Sequence, residues 1–397
     1  MKTETEISLA AKKLAVICIV SNLSYYPYFQ TTIWARFLVI GIWLVWASSV
    51  FLQNSQSLFD NITIRRVTLF FTSFLLVNIA WIFFGSNFGG LKNHFILPVI
   101  TAFVILLTSY SLGKKLATHE LVYICHAYMY CTSLMTIPLF LFYVRGINID
   151  TSYYAYTYGK NEIAVLLVCS INFLVLLFQP QKTWELFFQI AAIIFQIGTL
   201  ILIRCRSAFV CMAVMLCYIV FNQKGIKRSS RFLLIAMIAI VGIYLGKNPL
   251  ALDNLITKIF FAGRSSSTVD ELSSGRITQI CEGLQVFFDN PIFGVGYRRT
   301  LDCFFVSILA NYGIMCYPLL FLALYPLYWG GYNFKHNREP ICLCFIFIVL
   351  NMEIFAFFEE LAPFGPGTRC YILWLMWGIL LANQTSQFTS VNAKNNF

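Results

Sequence analysis

Residues 186–221 read LFFQIAAIIFQIGTLILIRCRSAFVCMAVMLCYIVF, and their only charges are Arg204 and Arg206. The apolar runs on either side, Leu186–Ile203 and Ser207–Phe221, approach the roughly 20 apolar residues that a bilayer-spanning helix needs. A spanning β-strand would be about ten residues long and would alternate strictly between its two faces. Neither run alternates. The stretch therefore predicts two membrane helices joined by a corner of a few residues, and it sets the fold class as all-α and polytopic.

Working outward, the same reading places spans at Leu14–Gln30, Ile33–Leu52, Val67–Phe84, Phe95–Ser111, Leu121–Tyr143 and Ile163–Phe178 before the corner. After it come Phe232–Leu245, Phe304–Trp329, Pro340–Phe358 and Tyr371–Ala382, about twelve in all. The composition agrees: 59% of the 397 residues are apolar and 11% are charged, whereas soluble domains hold about 25% charged residues. Residues 1–397 read as a single integral membrane domain.

Lysines and arginines concentrate in alternate connections. Lys12, Lys13, Arg65, Arg66, Lys114, Lys115, Lys224, Lys227 and Arg228 fall on the side shared with both termini, which is expected to be cytoplasmic. These helix-end residues account for the net charge of +11, so no nucleic-acid partner is expected. Most of the thirteen cysteines lie within apolar spans as small hydrophobes. Cys205, Cys281, Cys303 and Cys370 fall on the outer side, where a disulfide stays open as a reading. Four scattered histidines and no zinc-like spacing predict neither metal nor cofactor.

One connection is long. Residues 246–301 form an outer loop, and Ile277, Ile280, Cys281, Leu284, Phe287 and Phe288 recur in it at helical spacing. An amphipathic helix over about 275–290 follows, stopped by Pro291. Arg276 would sit in its first turn, where a cation opposes the helix dipole, so its charge points to an anionic partner. Gly294-Val-Gly296 then forms a tight turn. At the corner, Arg204 and Arg206 either reach lipid head groups or face a polar site.

These residues carry a resemblance. Cys205-Arg206-Ser207-Ala208, the long outer loop with Ser274-Gly275-Arg276, Asn290-Pro-Ile-Phe-Gly294-Val-Gly296, and Asp302 followed by Asn311-Tyr312-Gly313-Ile314 together resemble the O-antigen polymerase and O-antigen ligase superfamily. Tyr156-Thr-Tyr158-Gly-Lys160-Asn161 is similar to a signature of the polymerase branch. Where the ligases carry a histidine and an asparagine, this chain has Asp302 and Cys303, which favours the polymerase.

The resemblance implies a GT-C-like membrane glycosyltransferase in the bacterial inner membrane. Its substrates would be undecaprenyl-diphosphate-linked oligosaccharides among membrane lipids, and a chain-length regulator protein is a further partner of such enzymes. Arg206 and Arg276 are the expected catalytic cations for the lipid diphosphate leaving group, since guanidinium binds phosphate oxygens bidentately. Arg204, Lys160, Asn161, Arg298, Arg299 and Tyr158 are expected to contact substrate. Asp302 is the candidate base for the acceptor hydroxyl, or else the N-cap of the span that follows it. Glu353, Glu359 and Glu360 form an alternative carboxylate set. The rival activities are the ligase reaction onto lipid A core and transport of the lipid-linked oligosaccharide.

Overall fold

The computed structural model of the protein describes residues 7–26, 29, 33–54, 58–84, 95–146, 160–221, 270, 275–296, 301–360, 362–365 and 370–395. Every regular element among them is helical. In chain order they are α1 (Leu9–Leu23), α2 (Ile33–Asn54), α3 (Ile62–Phe84), α4 (Ile96–Gly113), α5 (Thr118–Gly146), α6 (Lys160–Leu176), α7 (Thr183–Ile203) and α8 (Arg206–Phe221). After them come α9 (Arg276–Asp289), α10 (Phe304–Tyr312), a short 3-10 turn (Gly313–Cys316), α11 (Tyr317–His336), α12 (Pro340–Ala356) and α13 (Tyr371–Asn395).

Five stretches among the described residues are long and apolar enough to cross a membrane: Ile62–Trp81, Ile96–Gly113, Thr118–Leu141, Thr183–Ile203 and Phe304–His336. Five shorter apolar helices accompany them. The chain is an all-helical, multi-span membrane protein. This outcome follows from the solvent, because hydrocarbon offers no partner for backbone N–H and C=O groups and a helix satisfies them within one segment.

Local chemistry moves several of the expected ends. Helix α1 starts at Leu9 rather than Leu14, because Ser8 caps it by accepting a hydrogen bond from the Ala11 amide at 3.3 Å. It ends at Leu23, short of the expected Gln30. The expected span Phe304–Trp329 is divided at Gly313, whose φ of 59° breaks the helical path. The last helix runs to Asn395, well past Ala382. The expected span Phe232–Leu245 lies outside the described residues.

Helices α6, α12 and α13 form the centre, and nearly every described side chain in α6 and α12 is buried. Hydrogen bonds between buried side chains join the surrounding helices. Asn22 of α1 donates to Thr132 of α5 at 2.9 Å and accepts from the Tyr371 hydroxyl of α13 at 2.7 Å. Gln196 of α7 donates to Ser133 and Ser170 at 2.9 and 3.0 Å, tying α7 to α5 and α6. Such bonds hold membrane helices together where lipid tails remove the hydrophobic drive.

Close backbone approach does the rest. A Cβ on Gly378 would lie 2.6 Å from the Leu106 carbonyl oxygen, and one on Gly113 would lie 2.8 Å from Ile379 Cα. Helices α4 and α13 therefore meet through two glycines, one on each. We expect Gly378→Val to lower membrane abundance and thermal stability sharply, by about 3 kcal/mol or more of overpacking against immovable backbone. Gly41→Ala, with nothing within 4 Å of the added carbon, should match wild type in detergent unfolding scans.

Candidate functional site

The corner read first in the sequence is the shortest helix–helix connection among the described residues. Only Arg204 and Cys205 separate α7 from α8. Arg204 takes a left-handed conformation with φ of 53°, unlike any other described non-glycine residue. Glycine fits such a helix end more easily, and the left-handed state costs an L-residue about 1–2 kcal/mol. Cys205 is buried behind it, its thiol donating to Asn161 Oδ1 at 3.5 Å and lying 3.2 Å from Ser207 Oγ. The Asn161 amide in turn donates to the Glu359 carboxylate. Three separate segments thus meet: the start of α6, the α7–α8 corner, and the turn after α12.

The same turn receives α9 from the other side. Arg276 is the first residue of α9, following Gly275 with φ of 74°. Its Nη2 donates to the Phe358 carbonyl at 3.3 Å, and its guanidinium lies 5.4 Å from the centre of the Phe358 ring. Its buried Nε lies 3.5 Å from Asp302 Oδ2 and makes no hydrogen bond among the described residues. The Asp302 amide donates to Gln279 Oε1 at 3.1 Å, so residues 276 and 279, one turn apart, both hold position 302.

The N-cap reading of Asp302 fails. Helix α10 is preceded by Cys303 in the cap position with no side-chain cap bond, and the Asp302 carboxylate faces Arg276 instead. Burial pushes the Cys303 thiol above the usual range, although nearby backbone amides and the Arg276 charge pull it down. All thirteen cysteines are free, which removes the outer-side disulfide.

Helix α9 is amphipathic as expected, but its buried face differs. Ile280 and Leu284 pack on Leu301 and Val306, and Gly283 is buried between them, where a Cβ would fall 2.5 Å from Val306 Cγ1. Ile277 and Phe288 are exposed, as is Cys281. These three lie within about 40° of one another around the helix. Together they form an exposed stripe on the helix, apart from the face packed on Leu301 and Val306.

Behind the site, the two glycine-bearing motifs lock together. Val295 and Gly296 amides donate to the carbonyls of Ala310 and Asn311, each at 3.0 Å, while the Ile314 amide donates to Pro291 O at 2.8 Å. Trp81 Nε1 of α3 donates to Phe293 O at 3.1 Å. Gly294 has φ of 67°, and a Cβ there would lie 2.5 Å from the Asn311 backbone. The side chains continue the contact: Asn311 donates to Ser307 at 3.1 Å, and Ser307 donates to Glu360 at 2.9 Å.

Phe358, Glu359 and Glu360 are consequently the meeting point of Arg276, Asn161 and Ser307. Of the expected site residues, Arg276 and Asp302 are in direct contact, and Asn161 and Arg204 belong to the adjoining corner. Arg206 opens α8 at that corner and is partly buried. Lys160 opens α6, with its side chain outside the described residues; Tyr158, Arg298 and Arg299 lie outside them altogether.

Gln279 and Ser307 carry no motif, and neither was expected. Glu353 lies one turn deeper on α12, 6% exposed, with neither oxygen hydrogen-bonded among the described residues. The pocket beside Arg276 and Asp302 holds only about 10 Å³, room for roughly one water. The described residues thus supply a charged surface rather than a closed substrate cavity.

The clamp yields a test. Gly294→Ala combines left-handed strain with a backbone clash and should destabilise the protein by about 2–4 kcal/mol. Exchange of the Val295 and Gly296 amides, followed by hydrogen–deuterium mass spectrometry, should rise well before global unfolding. Compared with models of protein families the chain matches none, and no curated protein matches its sequence.

Proposed function

We propose that the protein polymerises lipid-diphosphate-linked oligosaccharides, as the O-antigen polymerase branch of the superfamily does, at the outer face of a bacterial inner membrane. In this reading it has about twelve spans, a GT-C-like arrangement and both termini in the cytoplasm. The observation that carries the proposal is the convergence of Arg276, Asp302, Asn161 and the Arg204–Ser207 corner on one turn, residues 358–360, at one end of the bundle.

The chemistry follows from charge. Transfer of a glycan from a lipid diphosphate leaves negative charge on the phosphate oxygens, and preorganised cations there lower the barrier. Arg276 is suited to the task because its guanidinium is held in place by the Phe358 carbonyl and ring. Its ion pair is exchangeable: Asp302 is 57% exposed, and an ion pair in that setting contributes at most about 1 kcal/mol.

A diphosphate arriving at Arg276 would displace the carboxylate. Asp302 would then be free to accept the proton of the acceptor hydroxyl as that oxygen attacks the anomeric carbon and the lipid diphosphate leaves. Arg206 would bind the second phosphate from the corner. The exposed stripe of α9, Ile277, Cys281 and Phe288, would rest in the outer leaflet, beside the lipid end of the substrate.

Three tests bear on this reading. Arg206→Lys and Arg276→Lys keep the charge but lose the fork, and each should reduce polymer by 100-fold or more, a loss typical of a transition-state contact. Asp302→Asn should abolish the glycan ladder with membrane abundance unchanged, whereas Asp302→Glu should retain some of it; a full ladder from the Asn variant would remove the base from this position. For orientation, a reporter active only outside the cytoplasm should be active when fused after Ser274 and silent after Lys227. The reverse pattern would place the site on the wrong side for the reaction.

A further inference from the structure

Outside this site, α1 and α2 are tied by Trp43 Nε1 donating to Ser21 Oγ at 3.2 Å. Toward the start of α1 they part, because α1 packs on α5 and α2 packs on α4. A groove of about 870 Å³ opens between them. Its walls include Val16, Val45 and Trp46, and Val16 and Val45 are 58% and 73% exposed. At Gly41 an added Cβ would meet nothing within 4 Å among the described residues, so the space beside it is open there.

Lys12 and Lys13 also line the groove, and both are exposed. Neither has an ion pair among the described residues, and the first turn of α1 has no acidic residue. An apolar trough with two cations beside it, neither paired with a described carboxylate, matches a ligand that is apolar along its length and anionic at one end. A packed helix from a second copy would bury both lysines against apolar side chains, which is costly without a carboxylate partner.

We propose that this groove binds an anionic phospholipid, with its acyl chains along Val16, Val45 and Trp46 and its phosphate between Lys12 and Lys13. The lysine stems lie along the apolar wall while their ammonium groups reach the head-group layer. A zwitterionic lipid binds less well, since its own ammonium is repelled by the pair. The site is independent of the glycosyltransferase reading.

The test uses the full chain in nanodiscs of phosphatidylethanolamine containing a minor fraction of phosphatidylglycerol, with retained lipid counted by native mass spectrometry. Wild type should retain phosphatidylglycerol selectively. The double change Lys12→Ala and Lys13→Ala should reduce that retention about 30-fold, the combined effect of two lysines at an anionic head group. Lys12→Arg with Lys13→Arg should preserve it.

Gly41→Leu fills the trough, leaves both charges, and should also reduce retention; this variant carries the test alone if the alanine pair fails to fold. Retention of phosphatidylglycerol by a folded alanine pair overturns the proposal, as does retention by Gly41→Leu, which would leave a head-group contact without a groove. A wild-type dimer that Gly41→Leu converts to monomer would overturn it too, by showing a second copy in the trough.

Discussion

Hydrocarbon cannot hydrogen-bond a peptide group, and this single constraint governs the architecture. Backbone irregularity is costly inside the bilayer, so polar and strained features collect where helices end. The α7–α8 corner, the left-handed Arg204, the Gly294–Gly296 turn and the interruption at Gly313 are all of this kind. Where backbone irregularity does enter, it is satisfied by other backbone: the amides of residues 295, 296 and 314 are taken up by carbonyls of 310, 311 and 291.

The turn at 358–360 acts as the organiser of the polar end. It is short and has no regular structure of its own, yet it accepts hydrogen bonds from three directions. Arg276 reaches the Phe358 carbonyl, Asn161 reaches Glu359, and Ser307 reaches Glu360. Each donor belongs to a different helix, so a shift of α12 along its axis would move all three contacts together. Rigid presentation of this kind holds charged groups in place with little reorganisation.

Glycines at two places allow the helices to approach closely enough for that arrangement. Gly113 and Gly378 bring α4 and α13 to backbone contact in the centre, and Gly283 brings α9 onto Leu301 and Val306 at the end. Without the second approach Arg276 would not reach Asp302, since both Arg276 and Gln279 depend on α9 lying flat against that segment.

Apolar run length and helical spacing were legible in the sequence because they are local. They determined by themselves that the chain is an all-helical membrane protein, that α7 and α8 meet at a two-arginine corner, and that an amphipathic helix lies over about 275–290. Helix ends were less legible, since a cap such as Ser8 or a break such as Gly313 depends on a few atoms that an apolar count does not register. The partners of the polar residues were not legible at all. Asp302 reads equally as a cap or as a candidate base, and Glu359 and Glu360 read as part of an alternative carboxylate set after a span. Only the tertiary structure decided that Asp302 faces Arg276 and that residues 358–360 gather three helices, because those contacts join positions 26 to 198 residues apart, and no periodicity of a single chain encodes which helix ends share one corner of a bundle.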